Sequence, residues 1–401
     1  MKRLLIYILC LVLCSSVAKA QQTRRLQDRL DSLLLDPMFE TTQVGIMVYD
    51  LTADTTLYAR GHRQLLRPAS TMKLLTAVTA LRELGTDYQL ATRLYMEGTV
   101  RDSIFFGRMT CIGGMDPSFD SARMGELIDS LHIRGIRAVE GPLYADRTMK
   151  DSVLLGEGWC WDDDNPVLSP LLYNRKDNFM EELSMRLAKE MPREDHETHE
   201  GLNVGEPADS TSFFTLHTPL TDILVPMLKK SDNLYAEAML YHVAALSGTP
   251  YATARQAQLA EKRLIVDLGL RPNDYRLSDG SGLSPYNYLS ADLLVRLLRY
   301  VYDSPKLFSY LQPALPVAGT DGTLKDRMKK TPAQGNVWAK TGTLTGVSSL
   351  AGYALAPNGH MLAFAIINQG VRNNRTGRDF QDRFCIQLCT PEENSFNKNK
   401  K

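Results

Sequence analysis

Apolar residues recur at helical spacing in 24–35 (RRLQDRLDSLLL), and Asp36-Pro37 closes that run, which predicts an opening helix. Strand-like QVGIMVYDL (43–51) and TLYAR (56–60), separated by Thr52-Ala53-Asp54-Thr55, predict a hairpin. From Ser70 to Leu84 the pattern is helical again, with Gly85 as its stop. Between about Leu90 and Tyr173 the texture changes to short β-like runs (TRLYMEGTV, SIFFGRMTCIG, GPLYAD) divided by Gly, Asp and Pro. Residues 177–190 fit one helix, and MPREDHETHEGLNVGEPADSTS after it is polar and loop-like. Helical spacing returns in TPLTDILVPMLKK, LYAEAMLYHVAAL, TARQAQLAEKRLIVDLG and SADLLVRLLRYVY. Strand-like VSSLAGYALA and HMLAFAIIN follow, then a helix over Arg375–Leu388 and a polar tail. No internal repeat is visible.

Length and charge narrow the reading. A chain of 401 residues exceeds the usual size of one domain, so two are expected. The β-rich stretch predicts an inserted domain with its linker over 91–204, inside a main domain formed by 21–90 and 205–392, with 393–401 as a tail. Residues 1–20 (MKRLLIYILCLVLCSSVAKA) combine a cationic start, a short apolar run and Ala18-Lys19-Ala20, the signature of a secretory signal peptide. No later run is long enough to span a bilayer, so no transmembrane segment is expected in the mature chain. Lys and Arg total 46 against 46 Asp and Glu, a balance that argues against nucleic acid as the partner. Cys111, Cys160, Cys385 and Cys389 lack metal-ligand spacing. Cys385 and Cys389 lie four apart on the last helix, where buried thiols are expected rather than a disulfide.

Three short motifs carry the chemistry, in the order Ser70-Thr71-Met72-Lys73, Ser231-Asp232-Asn233 and Lys340-Thr341-Gly342-Thr343. A serine hydroxyl needs a nearby base to act as a nucleophile at neutral pH. Residues i and i+3 share a helix face, which puts Lys73 beside Ser70. That lysine must be neutral to take a proton, so burial or a neighbouring positive charge such as Lys340 is required. Ser70 at the helix start would meet backbone N–H groups able to stabilise an oxyanion. Gly342 would let a substrate backbone approach its strand. Each motif alone is weak: Ser395-Phe396-Asn397-Lys398 and Lys330-Thr331 repeat pieces of it by accident. Order and setting distinguish the three.

With these motifs the chain resembles the D-alanyl-D-alanine carboxypeptidases and endopeptidases of the penicillin-binding protein 4 type, the low-molecular-mass class C group of peptidase family S13. Gly114-Met115-Asp116-Pro117, GWxWD at 158–162, SDNLYAE at 231–237 and DGSGLS at 279–284 extend the resemblance over almost the whole mature chain. It implies an α/β (α+β) penicillin-binding, β-lactamase-like transpeptidase fold, an antiparallel sheet flanked by helices. It implies Ser70 as the acylated nucleophile, Lys73 as general base, Ser231 as proton relay and Asn233 as a donor to substrate. Lys340, Thr341, Gly342 and Thr343 would receive the substrate's terminal carboxylate, with the Ser70 and Thr343 amides as oxyanion hole. Asp146 resembles a contact for the diaminopimelate amine, though a turn-forming aspartate is an equal reading. Peptidoglycan stem peptides are the implied substrate, β-lactams covalent inhibitors and the periplasm the location, with no cofactor or metal required.

The chain departs from the group in places. Ser70 and Ser231 are separated by room for one insert, where well-known members carry two. Pro285 stands where an arginine often helps bind the stem, and Thr345 replaces a glutamine-like position. A serine β-lactamase shares the three motifs, but Glu200-Gly201-Leu202-Asn203 is misplaced for its deacylating glutamate. A non-catalytic peptidoglycan-binding protein is the other alternative, and the intact motif set argues against it. Glu194, Asp195, His196 and His199 lack zincin spacing, and Trp161-Asp162-Asp163-Asp164 lacks a full calcium loop.

Overall fold

The computed structural model describes residues 25–162, 165–191, 198–200 and 213–391. Residues 1–24, Asp163-Asp164, most of the 191–212 stretch with Glu194, Asp195 and His196, Gly201-Leu202-Asn203 and residues 392–401 lie outside them. The chain divides into two compact units, residues 1–71 with 288–401, and residues 72–287.

In the first unit, helix α1 (25–33) leads into hairpin β1 (Gln43–Asp50) and β2 (Thr55–Arg60), and a 3-10 turn at Ala69–Thr71 carries Ser70. The second unit begins with helix α2 (Met72–Glu83), ended at Gly85 with φ +86°. Strands β3 (Gln89–Arg101) and β4 (Ile104–Ile112), helix α3 (Ser121–Ile133), strands β5 (Ala138–Glu140) and β6 (Leu143–Asp146), and helix α4 (Phe179–Glu190) follow. Strands β7 (Thr198–Glu200) and β8 (Phe214–Pro219) precede helices α5 (Leu220–Lys229), α6 (Asn233–Ala245) and α7 (Ala254–Asp267). The chain then returns to the first unit with helices α8 (Ala291–Tyr302) and α9 (Pro305–Ala314), strands β9 (Val337–Leu344), β10 (Val347–Leu355) and β11 (Met361–Gln369), and helix α10 (Asn374–Cys389).

The first unit is built on an antiparallel sheet ordered β2-β1-β11-β10-β9. Strands β10 and β11 are buried at nearly every position, the pattern of strands covered on both faces. Helix α8 packs on β1 and β11, and α10 on β10. Leu30, Ile46, Val48, Leu350, Phe364, Phe380 and Phe384 share its core. Helices against an antiparallel sheet bear out the expected fold class.

The second unit holds a mixed sheet ordered β7-β6-β4-β3-β8, with β5 pairing on β4. Leu94, Met109, Leu143, Leu127, Ile128, Phe179 and Leu183 join this sheet to α3 and α4. Helix α3 was not expected inside the β-rich stretch; it is capped by Asp120, whose carboxylate accepts from the Ala122 and Arg123 amides. Part of the polar loop is also strand: β7 runs parallel to β6. In the rest of this unit α2 packs with α5, α6 and α7. Met72 to Leu81 are all buried, so α2 is enclosed on every side.

Cys111, Cys385 and Cys389 are buried free thiols and Cys160 is an exposed one, in keeping with the spacing argument. Among the described residues no helix is long and apolar enough to cross a membrane.

Candidate active site

In the first unit, Ala69 holds φ at +48°, a left-handed value that costs a non-glycine residue roughly 1 kcal/mol or more and survives only where the surroundings impose it. The turn is pinned by the Thr71 hydroxyl donating to the Pro68 carbonyl at 2.7 Å and by the Ser349 hydroxyl donating to the same carbonyl at 2.5 Å. Ser70 follows, half-buried. Strand β9 lies against this turn at Gly342: a Cβ there would overlap Ser349 Oγ and stand 2.7 Å from the Pro68 carbonyl oxygen and 3.0 Å from the Ser70 nitrogen. Gly342 is thus required by its close approach to the Pro68–Ser70 turn. The Ser70 amide consequently sits one residue from Thr343, which is exposed.

On the same strand Lys340 is wholly buried and donates to the Thr341 carbonyl at 2.7 Å, while the Thr341 hydroxyl donates to Thr323 Oγ1 at 2.8 Å. Gly346, with φ +74°, makes the turn from β9 into β10.

In the second unit, Lys73 on α2 has no exposed surface. Its Nζ donates to Asn233 Oδ1 at 2.7 Å and to the Ser281 carbonyl at 2.7 Å. Burial lowers its pKa to about 8, against the opposing pull of the Asp279, Glu237 and Asp232 carboxylates. Desolvation, one of the two causes expected from the motif, is the largest influence on this ammonium.

Asn233 is brought there by the start of α6. Asp232 is the N-cap, accepting from the Leu234 and Tyr235 amides, and it is held by Arg175 at 2.8 and 3.0 Å. Ser231 precedes it with φ +62°, left-handed like Ala69 before the first motif. Asp146 ends β6, buried, with Oδ1 accepting from the Thr148 amide at 2.8 Å and the Thr148 hydroxyl at 2.6 Å. These are the bonds of a turn-forming aspartate.

Motif reading marked SDNLYAE and DGSGLS but gave no role to Glu237 and Asp279 behind Lys73. Glu237 is the one acidic side chain in the apolar run Leu234–Val243, a signal that was present in the sequence. It is buried, and its carboxyl is raised to about 8 by burial first and by Asp279 second. Asp279 is the centre of the DGSGLS loop, accepting from Trp159 Nε1 at 2.8 Å, the Ser284 amide at 2.7 Å and Asn287 Nδ2 at 2.6 Å, among others. The tryptophan of GWxWD and the DGSGLS loop therefore form one hydrogen-bonded structure.

Residues 26–171 and 206–387 match the D-Ala-D-Ala carboxypeptidase 3 (S13) family. A D-alanyl-D-alanine carboxypeptidase from Actinomadura sp. (strain R39) is 28% identical over 472 aligned positions, covering 93% of this chain and 86% of the relative. Among solved structures, penicillin binding protein 4 from Haemophilus influenzae superposes with a TM-score of 0.80 at 22% identity, over 90% of this chain and 98% of that one. A predatory endopeptidase from Bdellovibrio bacteriovorus, acylated by penicillin G, gives 0.60 at 19% identity, over 88% and 94%.

Proposed function

Because the chain belongs to the D-Ala-D-Ala carboxypeptidase 3 (S13) family, we propose that it is a serine D-Ala-D-Ala carboxypeptidase, with endopeptidase action on cross-links open to the same chemistry. The observation that carries this reading is the buried Lys73 amine, bonded to Asn233 and Ser281 and lowered to about 8. At pH 7 a group of that pKa is neutral in about a tenth of molecules, against about one in three thousand for an ordinary lysine. A neutral amine has two N–H bonds and one lone pair. Its two hydrogens suffice for the bonds to Asn233 and Ser281, so both can survive deprotonation.

In this mechanism Lys73, three residues after Ser70, takes the Ser70 hydroxyl proton. Ser70 Oγ then bonds to the carbonyl carbon of the penultimate D-alanine. The developing oxyanion is received by the Ser70 and Thr343 amides. Ser231 passes a proton to the leaving nitrogen as the C–N bond breaks, and the terminal D-amino acid departs. Water attacks the acyl-enzyme and restores the serine. Lys340, Thr341 and Thr343 bind the terminal carboxylate through charge and hydroxyl donors, with Gly342 keeping their strand against the nucleophile turn. Asn233 orients the substrate amide as well as Lys73.

Peptidoglycan stem peptides are the substrate class, and β-lactams acylate Ser70 as mimics of the terminus. Asp146 as a stem contact has the least support, since its Oδ1 is engaged by Thr148. Export through the 1–20 leader places the enzyme in the periplasm, and residues 91–204 form the insert of the main domain. The mechanism asks for no metal or organic cofactor.

Mass spectrometry of products from pentapeptide and cross-linked muropeptides, with wild type and Ser70→Ala, tests the activity. D-alanine release by wild type alone is expected; equal release by Ser70→Ala refutes the nucleophile. Fast catalytic turnover of nitrocefin would favour a β-lactamase instead.

A further inference from the structure

Ser281 is held on three sides by buried groups of the second unit. Its N–H donates to Glu237 Oε1 at 2.8 Å, its hydroxyl donates to Asp279 Oδ2 at 3.1 Å, and its carbonyl accepts from Lys73 Nζ at 2.7 Å. The peptide group that presents this carbonyl also carries the Gly282 N–H, which donates to Asp279 Oδ1 at 2.8 Å. One peptide group therefore lies between a carboxyl side chain and an amine. An acceptor on its N–H polarises the group and strengthens its carbonyl as an acceptor.

Glu237 Oε1 also accepts from the Gly280 amide at 3.0 Å. The loop has no slack there: a Cβ on Gly280 would come within 3.0 Å of Leu240 Cβ and 3.2 Å of the Ala236 carbonyl and Thr76 Cγ2. Thr76 adds a bond from its hydroxyl to the Gly280 carbonyl at 2.7 Å. Two carboxyls and a tight helix packing thus fix where the Ser281 carbonyl points.

We propose that Glu237 and Asp279 are positioning residues for the Lys73 amine, acting through the Ser281–Gly282 peptide group. The inference rests on the reading of Lys73 as the base. Glu237 sets the loop by its two amide bonds, and Asp279 polarises the peptide that Lys73 donates to. Neither residue touches substrate.

Their charge acts in the same place. Asp279, Glu237 and Asp232 face Lys73 and favour its protonated form, in that order, against the larger effect of burial. Glu261, wholly buried behind them, is held well above the usual carboxylate range by burial and by the charges of Glu237 and Asp279. Glu237 gains its charge in the range where Lys73 loses its own.

Glu237→Gln separates charge from shape, because an amide oxygen can accept from both loop amides while the charge is gone. The acylation rate by a fluorescent penicillin is measured from about pH 5 to pH 10, with thermal melting at each pH and Ser70→Ala as reference. Glu237 carries its charge only near and above pH 8, so losing it should let Lys73 give up its proton more readily there, raising the rate near pH 8 while the limb below about pH 7 stays in place. An unchanged or lower rate near pH 8 overturns the electrostatic role. Glu237→Asp keeps the charge but withdraws the carboxylate by one methylene; a rate reduced about tenfold or more at every pH is expected, and a wild-type rate overturns the positioning role. Acylation that persists in Ser70→Ala refutes the nucleophile reading and this inference with it. A silent Ser70→Ala with both Glu237 variants like wild type refutes the inference alone.

Discussion

Gly342→Ala should damage both the sheet and the turn that carries Ser70. The new Cβ overlaps Ser349 Oγ and stands 2.7 Å from the Pro68 carbonyl oxygen and 3.0 Å from the Ser70 nitrogen. Ordinary contacts between heavy atoms of this kind begin near 3.5 Å. Ser349 cannot rotate away without giving up its 2.5 Å bond to Pro68, and the other two atoms are backbone. Overpacking of this sort costs about 1–3 kcal/mol, and loss of a buried hydrogen bond adds about 1 kcal/mol. At roughly 2–4 °C per kcal/mol the melting temperature should fall by about 4–16 °C. Relief requires β9 to move away from the turn, and a displacement of about 1 Å at a reacting group costs on the order of a hundredfold in rate. The assay is thermal unfolding together with the rate of penicillin acylation. Gly346→Ala is the control: its φ is +74° but nothing lies within 4 Å of its Cβ. Backbone strain alone should cost it about 1 kcal/mol and leave acylation near wild type. Wild-type melting and acylation in Gly342→Ala, or equal damage in Gly346→Ala, would refute the packing argument.

Two further outcomes follow from buried groups. His242 donates from Nε2 to the Gly114 carbonyl at 2.8 Å, and its Nδ1 lies 2.9 Å from the Tyr88 hydroxyl, which donates to it when the ring is neutral. Burial lowers it from 6.5 to about 4. Between those values the unfolded chain binds the extra proton, so this residue's contribution to stability is lost as pH falls, by about 3 kcal/mol in all. Glu237, raised from 4.5 to about 8, slopes the other way, with stability falling as pH rises. Denaturant melts of His242→Gln against wild type at several pH values isolate the histidine term; parallel curves would refute it. Among Cys111, Cys160, Cys385 and Cys389, a maleimide under native conditions should label Cys160 alone, since burial pushes Cys111 and Cys389 to about 12 and raises Cys385 as well. Peptide mapping reads the result, and native labelling of Cys385 would contradict its burial.

Much of the fold was legible because the elements are amphipathic or capped. The hairpin, the Ser70 helix and the last two strands fall where periodicity puts them. Helix α3 was missed because its run, SARMGELIDSLHI, sits among β-like segments and declares itself mainly through Asp120 as a cap. Helix α9 is announced by Ser304 with Pro305 at its first turn, a signal that apolar spacing alone does not carry. Strand β7 lies in a polar stretch, where pairing with β6 rather than residue type makes the strand.

The sequence by itself determined the motif set, its order and the chemical class, because a serine, a lysine three residues later and a Lys-Thr-Gly-Thr run are written in residue types and local spacing. The expected proton transfer from Ser70 to Lys73 also called for an amine with a lowered pKa. Only the tertiary structure decided how. Lys73 lies inside a helix buried on all sides and bonds to Asn233 and Ser281, 160 and 208 positions away. Likewise Gly342 is required by a contact with Pro68 and Ser349 that no local pattern encodes. Desolvation and close packing depend on which distant segments fill the space around a group, and that is a property of the folded chain rather than of any stretch of it.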